Sequence, residues 1–239
     1  MVKATPEIKE LYKELQKKLF SMIPEKWDRV YLYASILEGI NHLETGEMFF
    51  YYFPKGILKK DPVNVYEVPN KFNLDEQEYF QLADELYGVI QKLRKECEVV
   101  NDKKWSNLTI SVENFQFKIE YDYQDLKESP YNSYERHLIW RYEYLEISMN
   151  TYNRKDRKII EEYLQNKPYK QEQKDTHIEG IYQIQKPRSI NYEKENSFRP
   201  SEKQDLANPI LSIEEQIKQE QEKEEQRNQI LNFNRKNIM

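Results

Sequence analysis

The stretch Trp105-Ser106-Asn107-Leu108-Thr109-Ile110-Ser111-Val112-Glu113-Asn114-Phe115-Gln116-Phe117-Lys118-Ile119-Glu120-Tyr121-Asp122-Tyr123 decides the fold class. Leu108, Ile110 and Val112 alternate with Thr109 and Ser111. Phe117, Ile119, Tyr121 and Tyr123 alternate with Lys118, Glu120 and Asp122. A period of two marks strands that each bury one face. The short link around Asn114 predicts a hairpin, and a hairpin implies an antiparallel sheet.

Working outward, the same pattern recurs upstream. Val30, Leu32, Ala34 and Ile36 alternate with Arg29, Tyr31, Tyr33 and Ser35, which predicts a strand over 27–37. Thr45-Gly46 marks a turn, and the nearly all-aromatic run from Met48 to Phe53 predicts its partner strand. A further strand is expected at 63–68, between Pro62 and Pro69. Helical spacing governs the rest. Ile8, Leu11, Leu15, Leu19 and Met22 line one face of a helix over 6–22, with Thr5 as its cap and Pro24 beyond its end. A long helix starts at Asn73 or Asp75 and runs to about Val99, its acids at the start and bases near the end as the helix dipole favours. A third helix spans 133 to about 148, with Tyr134, Leu138, Tyr142 and Leu145 on one side. The order α-β-β-(β)-α-β-β-α predicts an α+β domain over residues 1–150. Its antiparallel sheet has about 4–5 strands in two hairpins, packed with three helices.

After Met149 the character changes. Residues 151–239 read as a polar C-terminal extension, partly disordered and partly helical. It has a short helix near 156–164 and a Glu/Gln-rich helix near 212–233, the latter opening on Ser212 and Glu215 at capping-box spacing. With 38% hydrophobic and 33% charged residues, the chain is too polar to pack throughout, so a core is expected in only part of it.

Composition narrows the functional classes. One Cys excludes an intrachain disulfide and a Cys-based zinc site, and five Gly exclude Gly-rich phosphate loops. No apolar run approaches the roughly 18–20 residues of a membrane span, so no membrane insertion is expected. Residues 1–10 are charged and lack the apolar segment of a signal peptide, which points to the cytoplasm. Acids concentrate in 75–146, with 16 Asp and Glu against 9 Lys and Arg, a net of −7. Such a stretch repels phosphates, so direct nucleic-acid binding is not expected, and a basic protein surface suits it better.

Chemistry-bearing motifs are few. His42 falls in an expected loop, His137 on the third helix as part of a side-chain network, and His177 in the solvated tail. Cys97 lies on the apolar stripe of the long helix and reads as a buried, inert thiol. Metal-dependent nucleases of one large class place Glu-x-Lys or Asp-x-Lys on the second strand of a hairpin; here Lys118-Ile119-Glu120 has the reverse order. Glu113, Lys118, Glu120 and Asp122 therefore read as a solvated strand face or a binding surface. No catalytic, metal-binding or cofactor-binding residue is assigned, and an enzyme ranks last.

Several segments, taken in order, resemble a known family. They are Trp27-Asp28-Arg29-Val30-Tyr31-Leu32-Tyr33-Ala34, Phe49-Phe50-Tyr51-Tyr52 and Leu82-Ala83-Asp84-Glu85-Leu86. Trp105-Ser106-Asn107-Leu108-Thr109, the strand from Phe117 to Tyr123, and Tyr134-Glu135-Arg136-His137-Leu138-Ile139-Trp140-Arg141-Tyr142 follow. Together they resemble the YezG/EsaG-type antitoxin (immunity protein) family over about residues 7–148. Members usually carry a Gly just before the Phe-Lys strand, where this chain has Asn114-Phe115-Gln116. The resemblance implies a cytoplasmic, non-catalytic protein, without cofactor, that binds and neutralises a cognate toxin. In this family the toxin is often a nuclease secreted by a type VII-like system. A nuclease holds a basic cleft for phosphates, and an acidic protein can fill it. The partner-binding candidates are Asp75, Glu76, Glu78, Asp84 and Glu85 on the long helix, and Glu120, Tyr121, Asp122, Tyr123 and Asp125 on or after the second hairpin. Tyr121, Tyr123 and Tyr131 are expected to be exposed beside that charge. The alternative is a non-catalytic scaffold or adaptor that recruits a partner through its C-terminal helix.

Overall fold

The computed structural model describes residues 4–38, 44–56, 61–166 and 175–181. Helix α1 (Pro6–Ser21) leads into strand β1 (Trp27–Ser35). Two short strands, β2 (Leu37–Glu38) and β3 (Glu44–Thr45), pair with each other before β4 (Met48–Pro54) and β5 (Val63–Asn64). Helices α2 (Val68–Phe72) and α3 (Glu76–Asn101), strands β6 (Asn107–Glu113) and β7 (Gln116–Asp122), helices α4 (Ser133–Tyr144) and α5 (Arg154–Asn166), and strand β8 (Asp175–Gly180) complete the described chain. The main sheet is antiparallel and six-stranded, in the order β5-β4-β1-β6-β7-β8. The α+β class, both hairpins and the three expected helices are present, and β8 and the short β2–β3 pair are strands beyond those the sequence predicts.

The two-residue period sorts every side chain of the sheet. Val30, Leu32, Ala34, Phe50, Tyr52, Leu108, Ile110, Val112, Phe117 and Ile119 share the core with Ile8, Tyr12, Leu15 and Leu19 of α1 and Leu86, Ile90 and Leu93 of α3. The opposite face carries Tyr31, Tyr33, Phe49, Tyr51 and Thr109, and α4 lies across it. His137 stacks on Phe49 with ring centroids 4.0 Å apart, and Trp140 Nε1 donates to Thr109 Oγ1 at 3.2 Å. Because both faces are covered at β1 and β4, β4 is buried along its whole length. That explains an aromatic run with no polar alternation.

Helix α4 is enclosed from two sides. His137, Trp140 and Tyr144 meet the sheet, while Leu138 packs with Tyr152 and Ile160 of the α5 side, beside Tyr134 and Tyr142. The sequence marks only the second of these stripes. Asn132 opens α4 with a capping box: its side chain accepts from Glu135 N, and the Glu135 carboxylate accepts from Asn132 N, both at 3.0 Å.

Three local expectations need correction. The strand over 63–68 shrinks to Val63–Asn64, because the Asn64 side chain accepts from Tyr66 N and turns the chain into a 3-10 turn (Val65–Glu67). Pro69 then occupies the first turn of α2, a position it favours. Expected as a loose tail, Asp175–Gly180 instead forms β8, paired with β7 from Gln116↔Gly180 to Tyr121↔Asp175. His177, expected to be solvated, stacks on Tyr12 at 4.4 Å, and Gln16 Nε2 donates to Glu179 Oε1 at 2.9 Å. The folded body therefore continues past Met149 through α5 and β8. His42 and the helix expected near 212–233 lie outside the described residues.

One glycine is required by close approach. A Cβ at Gly46 would fall 1.9 Å from the Ser35 carbonyl oxygen and 2.0 Å from the Tyr87 hydroxyl. The backbone also turns left-handed at Asn73 and Asp102, which end α2 and α3, and at Asn114 and Phe115 in the β6–β7 turn. Asn and Asp tolerate this region; for a bulky residue it costs about 1–2 kcal/mol.

Candidate functional site

The acidic candidates of α3 form a solvent-facing group. Asp75 caps the helix, its Oδ1 accepting from Glu78 N at 2.8 Å. Glu76 and Glu78 follow in the first turn, where the helix dipole favours carboxylates, and Asp84 and Glu85 are exposed about two turns on. Glu85 accepts from Lys18 Nζ at 2.8 Å, and that pairing lowers its carboxyl pKa. Partial desolvation moves Asp84 upward. Glu78 and Glu85, seven residues apart, fall close to one line along the helix.

The acidic candidates on β7 lie on the other side of the sheet. Glu120 and Asp122 sit opposite Thr109 and Asn107 of β6, on the α4 face. They are half-buried and engaged within the fold: Lys118 Nζ reaches Glu120 at 3.2 Å, and the Tyr144 hydroxyl donates to the Glu120 carboxylate at 3.4 Å. Asp122 accepts from Gln124 N, and Asp125 from Lys127 N, both at 2.9 Å. Tyr123, half-buried, donates its hydroxyl to Asp175 Oδ2 of β8 at 3.1 Å. The acidic candidates thus fall on α3 and on or after the second hairpin, whereas Tyr121 and Tyr123 pack on the side of the sheet that α1 and α3 cover.

Tyr121 corrects an expectation. It was expected at the surface and is 0% exposed, its hydroxyl 3.0 Å from that of Tyr12. The hairpin's own alternation places it with Phe117 and Ile119, the apolar face of β7. Tyr131 is half-buried, edge-on to Tyr163 at 6.0 Å.

Residues with chemical potential are committed to structure. Glu113 accepts from the Tyr31 hydroxyl at 2.5 Å. His137 Nε2 lies 3.0 Å from the Tyr51 hydroxyl, and burial, aided by the nearby Arg141 charge, lowers its pKa to about 3. It is a neutral member of a packed network, as the sequence indicates. Cys97 is buried, and desolvation pushes its thiol up to about 11, which leaves it inert near neutral pH. Among the described residues, no three His, Cys, Asp or Glu side chains gather where they could hold a metal ion. An open cleft of about 700 Å³ between α1 and α3 is lined by Glu7, Glu14, Glu96, Lys17, Lys92 and Lys95, whose opposing charges favour neither sign of ligand.

Two features escape the sequence patterns. Arg94 is 5% exposed, donates to the Trp105 carbonyl at 2.8 Å, and contacts Glu38 and Glu44 at 3.3 and 3.2 Å. It fastens the β2–β3 pair to α3, and its place next to Leu93 on the buried stripe was the available signal. Phe115, in the β6–β7 turn, is 73% exposed, and Ile178 on β8 is 57% exposed.

The described residues form an α+β body with exposed carboxylates along α3 and an exposed hairpin tip at Phe115. The family model described as Immunity protein YezG-like matches residues 8–161, and the chain belongs to this family. The Immunity protein YezG of Bacillus spizizenii is 32% identical over 163 residues, covering 68% of this chain and 93% of the relative. Its namesake in Bacillus subtilis strain 168 is 30% identical over 141 residues, covering 59% and 89%. The Type VII secretion system protein EsaG of Staphylococcus aureus is 27% identical over 161 residues, covering 66% and 94%. Membership makes the chain an immunity protein with an antitoxin role, in a family of non-catalytic inhibitors. Among the described residues, no helix is long and apolar enough to cross a membrane.

Proposed function

We propose that this protein binds and neutralises a cognate secreted nuclease toxin, a DNase, in the cytoplasm of the producing cell until the toxin is exported. The observation that carries the proposal is the family match, which runs from α1 into α5 and so takes in most of the folded body. The nuclease character of the partner is supported by electrostatics: exposed carboxylates on α3 complement the basic cleft in which a nuclease holds phosphates. Of the two acidic groups, α3 is the better toxin-facing surface. All five of its candidate carboxylates are exposed, whereas Glu120 and Asp122 are half-buried. The folded unit includes β8, so the shortest chain worth testing ends near Ile190.

The experiment is co-expression of the full chain with the nuclease domain encoded beside it, scored by cell survival, DNA integrity and co-purification. Survival with intact DNA and a stable complex supports the proposal; cell death without a complex refutes it for that toxin. With the purified proteins, the double substitution Glu76→Gln and Glu78→Gln should slow association about 3- to 10-fold at low salt, with a smaller effect at high salt. Unchanged association would remove α3 from the interface.

A further inference from the structure

We infer that Phe115, at the tip of the β6–β7 hairpin, is an anchor residue for the toxin and enters an apolar socket on it. The inference rests on the antitoxin reading but not on the toxin being a nuclease. Three observations meet at this position. The hairpin joins Glu113 to Gln116 through two residues, Asn114 at φ 49° and Phe115 at φ 62°. A two-residue turn with both central residues left-handed favours Asn followed by Gly. Asn114 obeys that rule and Phe115 breaks it, placing a bulky aromatic where the backbone prefers no side chain at all.

Nothing within the described fold offsets that preference. The side chain is 73% exposed, so it gains little from packing, while the backbone around it is held firmly. Glu113 and Gln116 close the ladder on one side, and Ile181 N donates to the Phe115 carbonyl at 3.4 Å on the other. A rigidly held, exposed aromatic suits a partner's socket, because little side-chain entropy is lost on docking and the ring brings a large apolar area. Ile178, on the neighbouring strand, adds a second exposed apolar side chain.

The test separates strain from binding by one substitution in the full-length chain. Phe115→Gly restores the favoured Asn-Gly turn, so Tm should rise by about 2–4 °C. Binding to the toxin domain encoded beside the gene should weaken at least 10-fold, chiefly through faster dissociation. Phe115→Trp should stay within about 3-fold of wild type, since an aromatic anchor is retained. A Phe115→Gly protein that binds as tightly as wild type overturns the assignment. So does a Phe115→Trp protein that loses binding to the same extent as Phe115→Gly. If the wild-type chain itself fails to bind and protect, the antitoxin reading falls first and the anchor falls with it, which keeps the two failures distinct.

Discussion

At the scale of the residue, His137 shows how packing chooses a protonation state. It is pressed against Phe49, faces the Tyr51 hydroxyl, and shares its helix with Arg136 and Arg141. Burial opposes its cation and lowers its pKa to about 3, against about 6.5 in an unfolded chain. The unfolded state therefore binds the extra proton between these values, so stability falls as pH drops below about 6.5 and keeps falling towards about 3. At pH 5 the loss attributable to this group is about 2 kcal/mol. His137→Phe should flatten the decline in Tm between pH 7.5 and pH 5. A variant with the wild-type slope would assign the acid sensitivity to other groups. The same neutral imidazole, closed off from solvent, is a packing element and not a base.

At the scale of the element, small features hold the sheet edges and helix ends in register. Gly46 lets the chain pass beneath the Tyr87 hydroxyl, which donates to the Ser35 carbonyl at 2.8 Å, and leaves no room for a methyl group. Gly46→Ala should destabilise the protein by about 1–3 kcal/mol, the range typical of overpacking, seen as a lower urea midpoint with an unchanged m-value. Midpoints that coincide would mean the β3–β4 turn relaxes freely. Helix α3 is delimited by Asp75 at its start and by left-handed Asp102 at its end, both local signals. Helix α4 differs: the stripe that meets the sheet, His137, Trp140 and Tyr144, is made of residues with polar atoms. Each finds a partner on the sheet, Tyr51, Thr109 and Glu120 in turn, so a hydropathy pattern underrates it.

At the scale of the whole molecule, β8 turns an apparent tail into an edge of the sheet. It is fastened on its inner side by His177 on Tyr12 and by Gln16 with Glu179, and at its start by Tyr123 with Asp175. A chain ending at residue 166 loses these contacts and uncovers β7, including its buried Phe117 and Tyr121. Its Tm should fall by about 5 °C or more relative to a chain ending at residue 190, with greater light scattering on heating. Equal Tm values would show that β8 adds nothing to stability. The sheet also divides the surface. Carboxylates on α3 and the tip at Phe115 project from different parts of the body, and the paired tests of Glu76 with Glu78 and of Phe115 decide whether one toxin uses both.

What the sequence determined by itself was everything set by short-range periodicity. Alternation in 105–123 and 27–37 established strands and antiparallel pairing, and three- and four-residue spacing established α1, α3 and one side of α4. The family, too, was legible, because it rests on an ordered set of such segments. What only the tertiary structure decided was which faces meet. Burial of β4 on both sides, the second contact face of α4, the recruitment of β8 and the placing of the acids in two groups all depend on contacts between residues far apart in the chain. Exposure of a single side chain is of the same kind. Tyr121 and Phe115 are both aromatic residues of one hairpin, and the sheet buries the first and leaves the second at the tip. A local pattern carries the period of an element; the surface it meets is set by the long-range closure of the sheet.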